Sequence, residues 1–200
     1  RFDDVILNFQ DAASNPADST LWLRNGGGKS SLLNLFFAVV RPDKRDFLGN
    51  KAEQKKRKLE DYIQDNDRSV VVAEWETDGE RDSLELAGTR ERLLTGVFYE
   101  WRAGGGDLRR LYFSCKVASQ HSETTLDGLP IFRLDGARKA RRSLSAFRQE
   151  WQNLRDTHPH LNVTATENHV EWAEWLEQAR IDPELFSYQL RMNQREGGAD

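Results

Sequence analysis

The feature that most constrains the fold of this chain is a glycine-rich turn followed by Lys-Ser-Ser, at residues 25–31 (NGGGKSS). A short apolar run at residues 19–23 (STLWL) precedes the turn and predicts a buried strand. The apolar residues of 29–40 follow at helical spacing, and Pro42 acts as a stop signal just beyond them. Strand, glycine turn, Lys-Ser and helix in this order are the context of a phosphate-binding loop.

The turn has the backbone chemistry that phosphate binding requires. Its successive N–H groups can point inward and form an anion nest, which the N-terminus of the following helix reinforces. Glycine suits such a turn because it tolerates positive φ and lets a ligand approach the backbone closely. We therefore predict a nucleotide-binding site that consists of Arg24, Asn25, Gly26, Gly27, Gly28, Lys29, Ser30 and Ser31.

The side chains that flank the glycines have distinct predicted roles. Lys29 would reach the β- and γ-phosphates, the Ser30 hydroxyl would be a ligand of Mg²⁺, and Ser31 would contact the α-phosphate. Arg24 would touch phosphate or sense a partner domain; the alternative is an ordinary solvent-facing arginine. One position departs from the full motif, because Leu23 stands where the first glycine is expected.

The rest of the chain divides into strand patterns, turns and helix patterns, which predicts an α/β fold. Turn formers fill residues 11–18, and the glycines of 104–107 predict a hairpin loop. Strands are predicted over residues 1–9, 19–23, 69–76, 92–102, 108–117 and 131–134. Helices are predicted over residues 29–40, 52–64 and 138–156, in the segment around Val170 to Leu176, and after Asp182 as an N-cap.

The acidic residue that would complete a nucleotide-hydrolysing site is not evident in the chain. Such an acid usually closes an apolar strand, and residues 70–74 (VVVAE) imitate this pattern with Glu74. Trp75, Glu76 and a Thr-Asp-Gly turn follow, as in an alternating strand of an antiparallel sheet. We therefore interpret Glu74 as an ordinary strand residue and predict that the chain holds half of a nucleotide site.

In its loop and its layout, the chain resembles the N-terminal half of an SMC-type ATPase head. This group contains the structural-maintenance-of-chromosomes proteins, the MukB-like condensins and the Wadjet JetC-type proteins. Residues 25–30 (NGGGKS) resemble the family's N-G-x-G-K-[ST], and the strand-rich stretch 69–117 resembles the meander that follows its P-loop helix. Residues 188–197 (YQLRMNQREG) are similar to the family's Q-loop segment, which lies just before the coiled coil.

The resemblance implies an α/β P-loop NTPase fold of the ABC/SMC type. The chain would be the N-terminal lobe of the head, with a mixed sheet that carries the P-loop helix. The parts would be a strand–P-loop–helix core at 1–50, an antiparallel β-subdomain at 69–134, and a helical segment at 138–200 that leads toward a coiled coil. ATP and Mg²⁺ are the implied cofactors. Gln194, preferred over Gln189, would bind Mg²⁺ or the attacking water.

The resemblance also implies partners and a function. The chain's own C-terminal head half would supply the Walker B acids, and a second head, in a homodimer, would supply its signature motif across the γ-phosphate. DNA and kleisin-like subunits would complete an assembly that couples ATP hydrolysis to chromosome segregation or to defence against plasmids. The alternatives are a compact P-loop DNA-repair ATPase or kinase, and a nucleotide-sensing binding module.

Composition excludes several other classes of protein. The chain has 200 residues with a single cysteine and a formal charge of −4, so disulfide scaffolds and sites with several thiolates are excluded. It has no apolar run of the roughly 20 residues that span a bilayer, so we expect a cytoplasmic protein without a membrane partner. The resemblance implies that the protein is nucleoid-associated. Contacts to DNA would require local basic patches, although such patches are usually just solvated. The two candidates are Lys51, Lys55, Lys56, Arg57 and Lys58, and Arg138, Lys139, Arg141 and Arg142.

Three further sets of residues have bland interpretations. His158 and His160 resemble a metal-binding pair only superficially, because Pro159 between them predicts a surface turn and we expect no third ligand nearby. Cys115, in a strand pattern, is expected to be a buried structural thiol. The helical spacing of Trp172 and Trp175 predicts packing or interface residues.

Overall fold

The structure is a computed structural model that describes residues 5–20, 29–40, 63, 67–78, 90–102, 106–136 and 138–188. The predicted helix over 52–64, apart from Ile63, lies outside these residues, as do the basic cluster at 51–58 and the segment 189–200. Most of the predicted phosphate loop, residues 21–28, is also outside them.

The described part of the chain contains six strands, three α-helices, a further helical segment at residues 183–188 and two short 3₁₀ turns. The strands are β1 (Arg68–Asp78), β2 (Arg90–Trp101), β3 (Leu108–Lys116), β4 (Phe132–Asp135), β5 (Arg138–Arg141) and β6 (Thr164–Thr166). The helices are α1 (Lys29–Val40), α2 (Leu144–Thr157) and α3 (His169–Gln178). The 3₁₀ turns are Ser122–Thr124 and Pro159–Leu161.

A four-stranded antiparallel sheet is the centre of the fold. Its strand order is β1-β2-β3-β6, and β4 and β5 form a separate two-stranded hairpin. Trp101 pairs with Leu108, so β2 and β3 are joined by the predicted hairpin. The strands predicted over 69–76, 92–102, 108–117 and 131–134 are confirmed, each with ends shifted by one or two residues.

Helices cover both faces of this sheet. One face carries Val71, Val97, Tyr99 and Tyr112 and packs against α1 and α3 in one core cluster. Side chains of the opposite face alternate with these along the strands and pack against α2 in a second core cluster; they include Leu94, Phe98, Leu111, Phe113 and Cys115. Because both faces are buried, β2 and β3 read as nearly continuous apolar runs, which is why their prediction succeeded.

Local hydrogen bonds set the start of the helices in the second half of the chain. Ser143 is the N-cap of α2, and its hydroxyl accepts from the Ala146 N–H at 3.2 Å. Asn168 caps α3 in the same way, accepting from the Val170 N–H at 2.9 Å. The predicted N-cap Asp182 is confirmed, since its carboxylate accepts from the Glu184 N–H at 2.8 Å and residues 183–188 are helical.

The structure corrects three predictions of secondary structure. The predicted helix over 138–156 begins only at Leu144, because residues 138–141 pair with β4. Residues 5–9 and 19–20 are not in strands, and Val5 and Phe9 are about half exposed (52% and 49%), so the alternating pattern finds no sheet to join. The predicted mixed sheet is antiparallel throughout the described residues.

No helix among the described residues is both long enough and apolar enough to cross a membrane. The longest of them, α2, has 14 residues and carries charged side chains along one side.

Gly96 of β2 has a direct packing role. It lies opposite Phe113 of β3, and the Phe113 ring covers the position that a β-carbon at residue 96 would occupy. The ring cannot withdraw easily, because Phe147 and Trp151 pack against it with centroid distances of 4.8 and 5.1 Å. Glycine is therefore required at this position by the close approach of an aromatic ring.

We expect Gly96→Ala to lower the free energy of unfolding by roughly 1–3 kcal/mol, as overpacking of a core does. Alanine alone would favour the strand slightly over glycine, so a loss of stability must come from the clash. Urea unfolding measures the change, and Phe113→Leu provides the matched background. The penalty of Gly96→Ala should largely disappear beside Phe113→Leu; an equal penalty in both backgrounds would refute the role given to the ring.

Candidate functional site

The helix predicted to follow the phosphate loop is present, with the predicted bounds. Helix α1 begins at Lys29, so Lys29, Ser30 and Ser31 form its first turn. The first N–H groups of a helix have no partner within it and carry partial positive charge. The other predicted loop residues, Arg24, Asn25, Gly26, Gly27 and Gly28, lie outside the described residues, as does Gln194.

The far end of α1 is firmly anchored in the protein. Phe37, Ala38, Val39 and Val40 are buried in the core cluster on the α1/α3 face of the sheet. The indole N–H of Trp172, from α3, donates to the Val39 carbonyl at 2.8 Å. This bond satisfies one of the carbonyls that a helix leaves unpaired in its last turn.

Aromatic side chains complete the support of α1. Trp172 stacks between Tyr112 of β3 and Trp175 of α3, with centroid distances of 5.5 and 5.1 Å. Phe36 meets Trp75 of β1 at 5.9 Å and Phe186 at 6.2 Å. Trp172 and Trp175 are therefore packing residues, as predicted, and they hold the helix that carries Lys29 and Ser30.

Glu74 has the position of an ordinary strand residue. It pairs with Leu94 in the antiparallel ladder, and its carboxylate forms an ion pair with Arg92 of the same face. It lies on the face of the sheet opposite α1, since its neighbours in the strand at 71 and 75 pack on the α1/α3 face. The interpretation of Glu74 as a strand residue rather than the magnesium-binding acid is supported by this geometry.

Cys115 is a buried thiol without nucleophilic character. It is 1% exposed and lies in the core cluster on the α2 face. Burial, with a smaller contribution from the Glu74 carboxylate, raises the pKa of Cys115 to about 12. The thiolate is the reactive form of cysteine, so this side chain is inert at neutral pH.

Two tyrosines under α1 are also held neutral. Burial raises the pKa of Tyr99 well above its usual range, and burial likewise raises the pKa of Tyr112. Among the residues that the structure describes, the Tyr99 hydroxyl has no hydrogen-bond partner. A phenol whose ionisation is disfavoured in this way cannot serve as a base at neutral pH.

Two of the four basic residues in 138–142 form ion pairs within the fold. Arg141 forms an ion pair with Asp67 at 3.1 Å, and Arg142 forms one with Glu150 at 3.1 Å. Lys139 is exposed and lies 5.9 Å from the centroid of the Phe132 ring. Two of the four cations predicted as a DNA-contacting patch are therefore compensated by carboxylates, which weakens the patch.

The structure brings together three histidines that the sequence separates. His121 follows β3, and its imidazole lies 4.2 Å from that of His158 and 5.5 Å from that of His160 between ring centroids. The prediction that no third ligand lies near His158 and His160 is therefore wrong. Sequence spacing holds no signal for this group, because His121 reaches it only through the packing of α2 on the sheet.

Comparison of the chain with protein-family models, with curated proteins and with solved structures finds no match.

Proposed function

We propose that this chain is the ATP-binding part of an SMC-like ATPase head of the P-loop class. The observation that carries the proposal is that Lys29, Ser30 and Ser31 open an apolar, well-anchored helix directly after the glycine-rich sequence 25–28. Lysine and serine in the first turn of a helix, after three glycines, have the arrangement in which P-loops bind nucleotide phosphates.

The surroundings of α1 support the proposal. A phosphate site needs donors held in place, since catalysis of phosphoryl transfer rests on positioning and charge neutralisation. The buried end of α1, the Trp172 bond to Val39 and the flanking aromatic rings fix the direction of the helix axis. The first-turn N–H groups are thereby held in a fixed direction along the axis of α1.

The residues of the loop would divide the work at the phosphates. Lys29 would neutralise the β- and γ-phosphates, the N–H groups of Gly26, Gly27 and Gly28 would bind their oxygens, and Ser30 would bind Mg²⁺. Magnesium, when bound, would neutralise charge that develops on the transferring phosphate. Gln194 would orient the attacking water, as the family resemblance implies.

The acid that activates water would come from outside this chain. Glu74 pairs with Arg92 on the sheet face opposite α1, so the strongest candidate within the described residues is not available for it. ATP binding without efficient hydrolysis is therefore the behaviour proposed for the chain by itself. DNA, a second head, kleisin-like subunits and a nucleoid location belong to the proposal through the family resemblance alone.

The experiment compares Mg-ATP binding with ATP turnover by the purified chain. We expect saturable binding and a turnover far below the ~10 s⁻¹ that is typical of enzymes. We expect Glu74→Gln to leave both quantities unchanged. A turnover near 10 s⁻¹ that Glu74→Gln abolishes would contradict the half-site and favour a compact P-loop enzyme instead.

A further inference from the structure

Three of the four histidines in the chain form a cluster at one end of α2. The chain contains His121, His158, His160 and His169, and only His169 lies elsewhere. One ring nitrogen from each of the three clustered residues lies within 4.8 Å of those of the other two. The His158 and His160 rings are 5.8 Å apart and nearly perpendicular, at 83°. Rings in this arrangement can direct one nitrogen each toward a common point between them.

The backbone holds each histidine of the cluster in place. The N–H of His121 donates to the Ala118 carbonyl at 2.9 Å, and its carbonyl accepts from the buried Thr124 hydroxyl at 2.8 Å. His158 is the C-cap of α2, and its N–H donates to the Leu154 carbonyl at 2.9 Å. His160 lies in the 3₁₀ turn Pro159–Leu161, where Pro159 restricts the backbone.

Buried residues next to the histidines attach the cluster to the protein core. Leu154 and Leu161, which flank the histidines in sequence, are buried in the core cluster on the α2 face. The turn ends at Asn162, which adopts the left-handed conformation with φ of 49° and brings the chain back into β6. The histidine backbones are therefore attached to packed elements, although the rings themselves reach the surface.

The imidazoles have no other engagement among the described residues. No side-chain hydrogen bond or ion pair to protein groups involves His121, His158 or His160 in that part of the chain. His121 and His158 are half-buried and His160 is exposed, so the ring nitrogens are accessible from solvent. Packing alone does not explain why three imidazole rings lie together at the surface while their nitrogens form no hydrogen bonds within the described part of the chain.

The donor set has a clear chemical preference. Neutral imidazole suits Zn²⁺, Cu²⁺, Ni²⁺ and Co²⁺, whereas Mg²⁺ and Ca²⁺ require oxygen ligands. Zn–N bonds of about 2.0–2.1 Å in a tetrahedron place ligand nitrogens about 3.3 Å apart. The nitrogens of the cluster lie within 4.8 Å of one another, so each pair would have to approach by at most about 1.5 Å, which rotation of the side chains would supply.

We propose that His121, His158 and His160 bind one divalent transition-metal ion, Zn²⁺ in the first place. Three protein ligands leave a fourth position of the tetrahedron open to water or to an exchangeable ligand. The ion would connect the turn after β3 to the end of α2, two segments that are distant in sequence. It would thereby stabilise the contact between these two segments at the edge of the core cluster on the α2 face.

The experiment measures binding of Co²⁺ and Zn²⁺ to the purified, tag-free protein. Co²⁺ reports its coordination by visible absorption, and Zn²⁺ should displace it at one equivalent per chain. Zn²⁺ should also raise the melting temperature by roughly 5–10 °C at 100-fold excess over its dissociation constant, whereas Mg²⁺ should not change it.

The matched variants are His121→Ala, His158→Ala and His160→Ala, with His169→Ala as the control. Each of the first three should weaken Zn²⁺ binding by more than about 100-fold, because removal of a direct ligand costs more than the roughly 10–100-fold that the loss of an outer-shell partner costs. His169 is exposed at the start of α3 and away from the cluster, so its variant should bind as the parent does. Circular dichroism of the metal-free variants shows whether each has folded.

Two results would overturn the proposal. One is the absence of a tetrahedral Co²⁺ spectrum and of saturable Zn²⁺ binding by the folded parent protein. The other is an equal loss of binding in His169→Ala and in the three cluster variants, which would mean nonspecific binding to surface imidazoles. Neither result bears on ATP binding, because the cluster lies beside the α2 face of the sheet and α1 packs on the opposite face.

Discussion

Trp172→Ala is expected to lower the free energy of unfolding by roughly 3–5 kcal/mol, the range observed when a buried tryptophan is truncated. Trp172 is fully buried and stacks between Tyr112 and Trp175. Its removal leaves a cavity between α3 and the sheet, and it leaves the Val39 carbonyl of α1 without its indole partner. Because domains are typically stable by only about 5–15 kcal/mol, this single change would leave the protein close to unfolding.

Two further variants separate the causes of this loss. Trp172→Phe keeps an aromatic ring but cannot donate to Val39, so it should cost about 1–3 kcal/mol for the unpaired buried carbonyl and the smaller ring. Val170→Ala is the control on the same helix, since Val170 is 52% exposed and should be nearly neutral. Urea unfolding of the three variants gives the comparison. A loss for Trp172→Ala as small as that of Val170→Ala would contradict the anchoring role.

The fold could be predicted where local pattern and tertiary packing agree. The strands β1, β2 and β3 carry long runs of β-branched and aromatic residues, and the sheet buries both of its faces, so each apolar residue finds a partner. Helix α1 was predicted with its observed bounds because its apolar residues and a following proline mark it clearly.

Prediction failed where a distant partner decides the conformation. Residues 138–141 have a sequence compatible with a helix, but they pair with β4, and Ser143 then caps a helix that begins later. Residues 5–9 alternate like a strand, yet the contact at their end is local: Gln10 forms an isolated bridge with Pro16, and the Phe9 carbonyl accepts from the Ala17 N–H at 2.9 Å. Neither partner can be identified from the spacing of residues within the segment itself.

The candidate sites show the same division. The P-loop pattern is local, so Lys29 and Ser30 could be named from seven adjacent residues. The histidine cluster depends on the turn after β3 meeting the end of α2, so His121 could not be joined to His158 and His160 by spacing. For Glu74, the sequence predicted the strand in which it lies, but it could not predict the ion pair with Arg92, which lies on the neighbouring strand.

Lys29→Ala is expected to weaken the binding of Mg-ATP by about 100-fold, which corresponds to roughly 2.7 kcal/mol. Its ammonium would make charge-assisted hydrogen bonds to the β- and γ-phosphates, and these are about twice as strong as bonds between neutral groups. Alanine favours the first turn of a helix at least as well as lysine does, so the stability of the fold should not change. Lys139→Ala is the matched control, because Lys139 is an exposed lysine on β5.

The most direct test of the central claim is therefore calorimetric titration of Mg-ATP into the parent protein, Lys29→Ala and Lys139→Ala. We predict saturable one-site binding by the parent and by Lys139→Ala, with binding by Lys29→Ala reduced about 100-fold at unchanged stability. Equal affinity in all three proteins, or no binding by the folded parent, would contradict the assignment of residues 24–31 as a phosphate-binding loop.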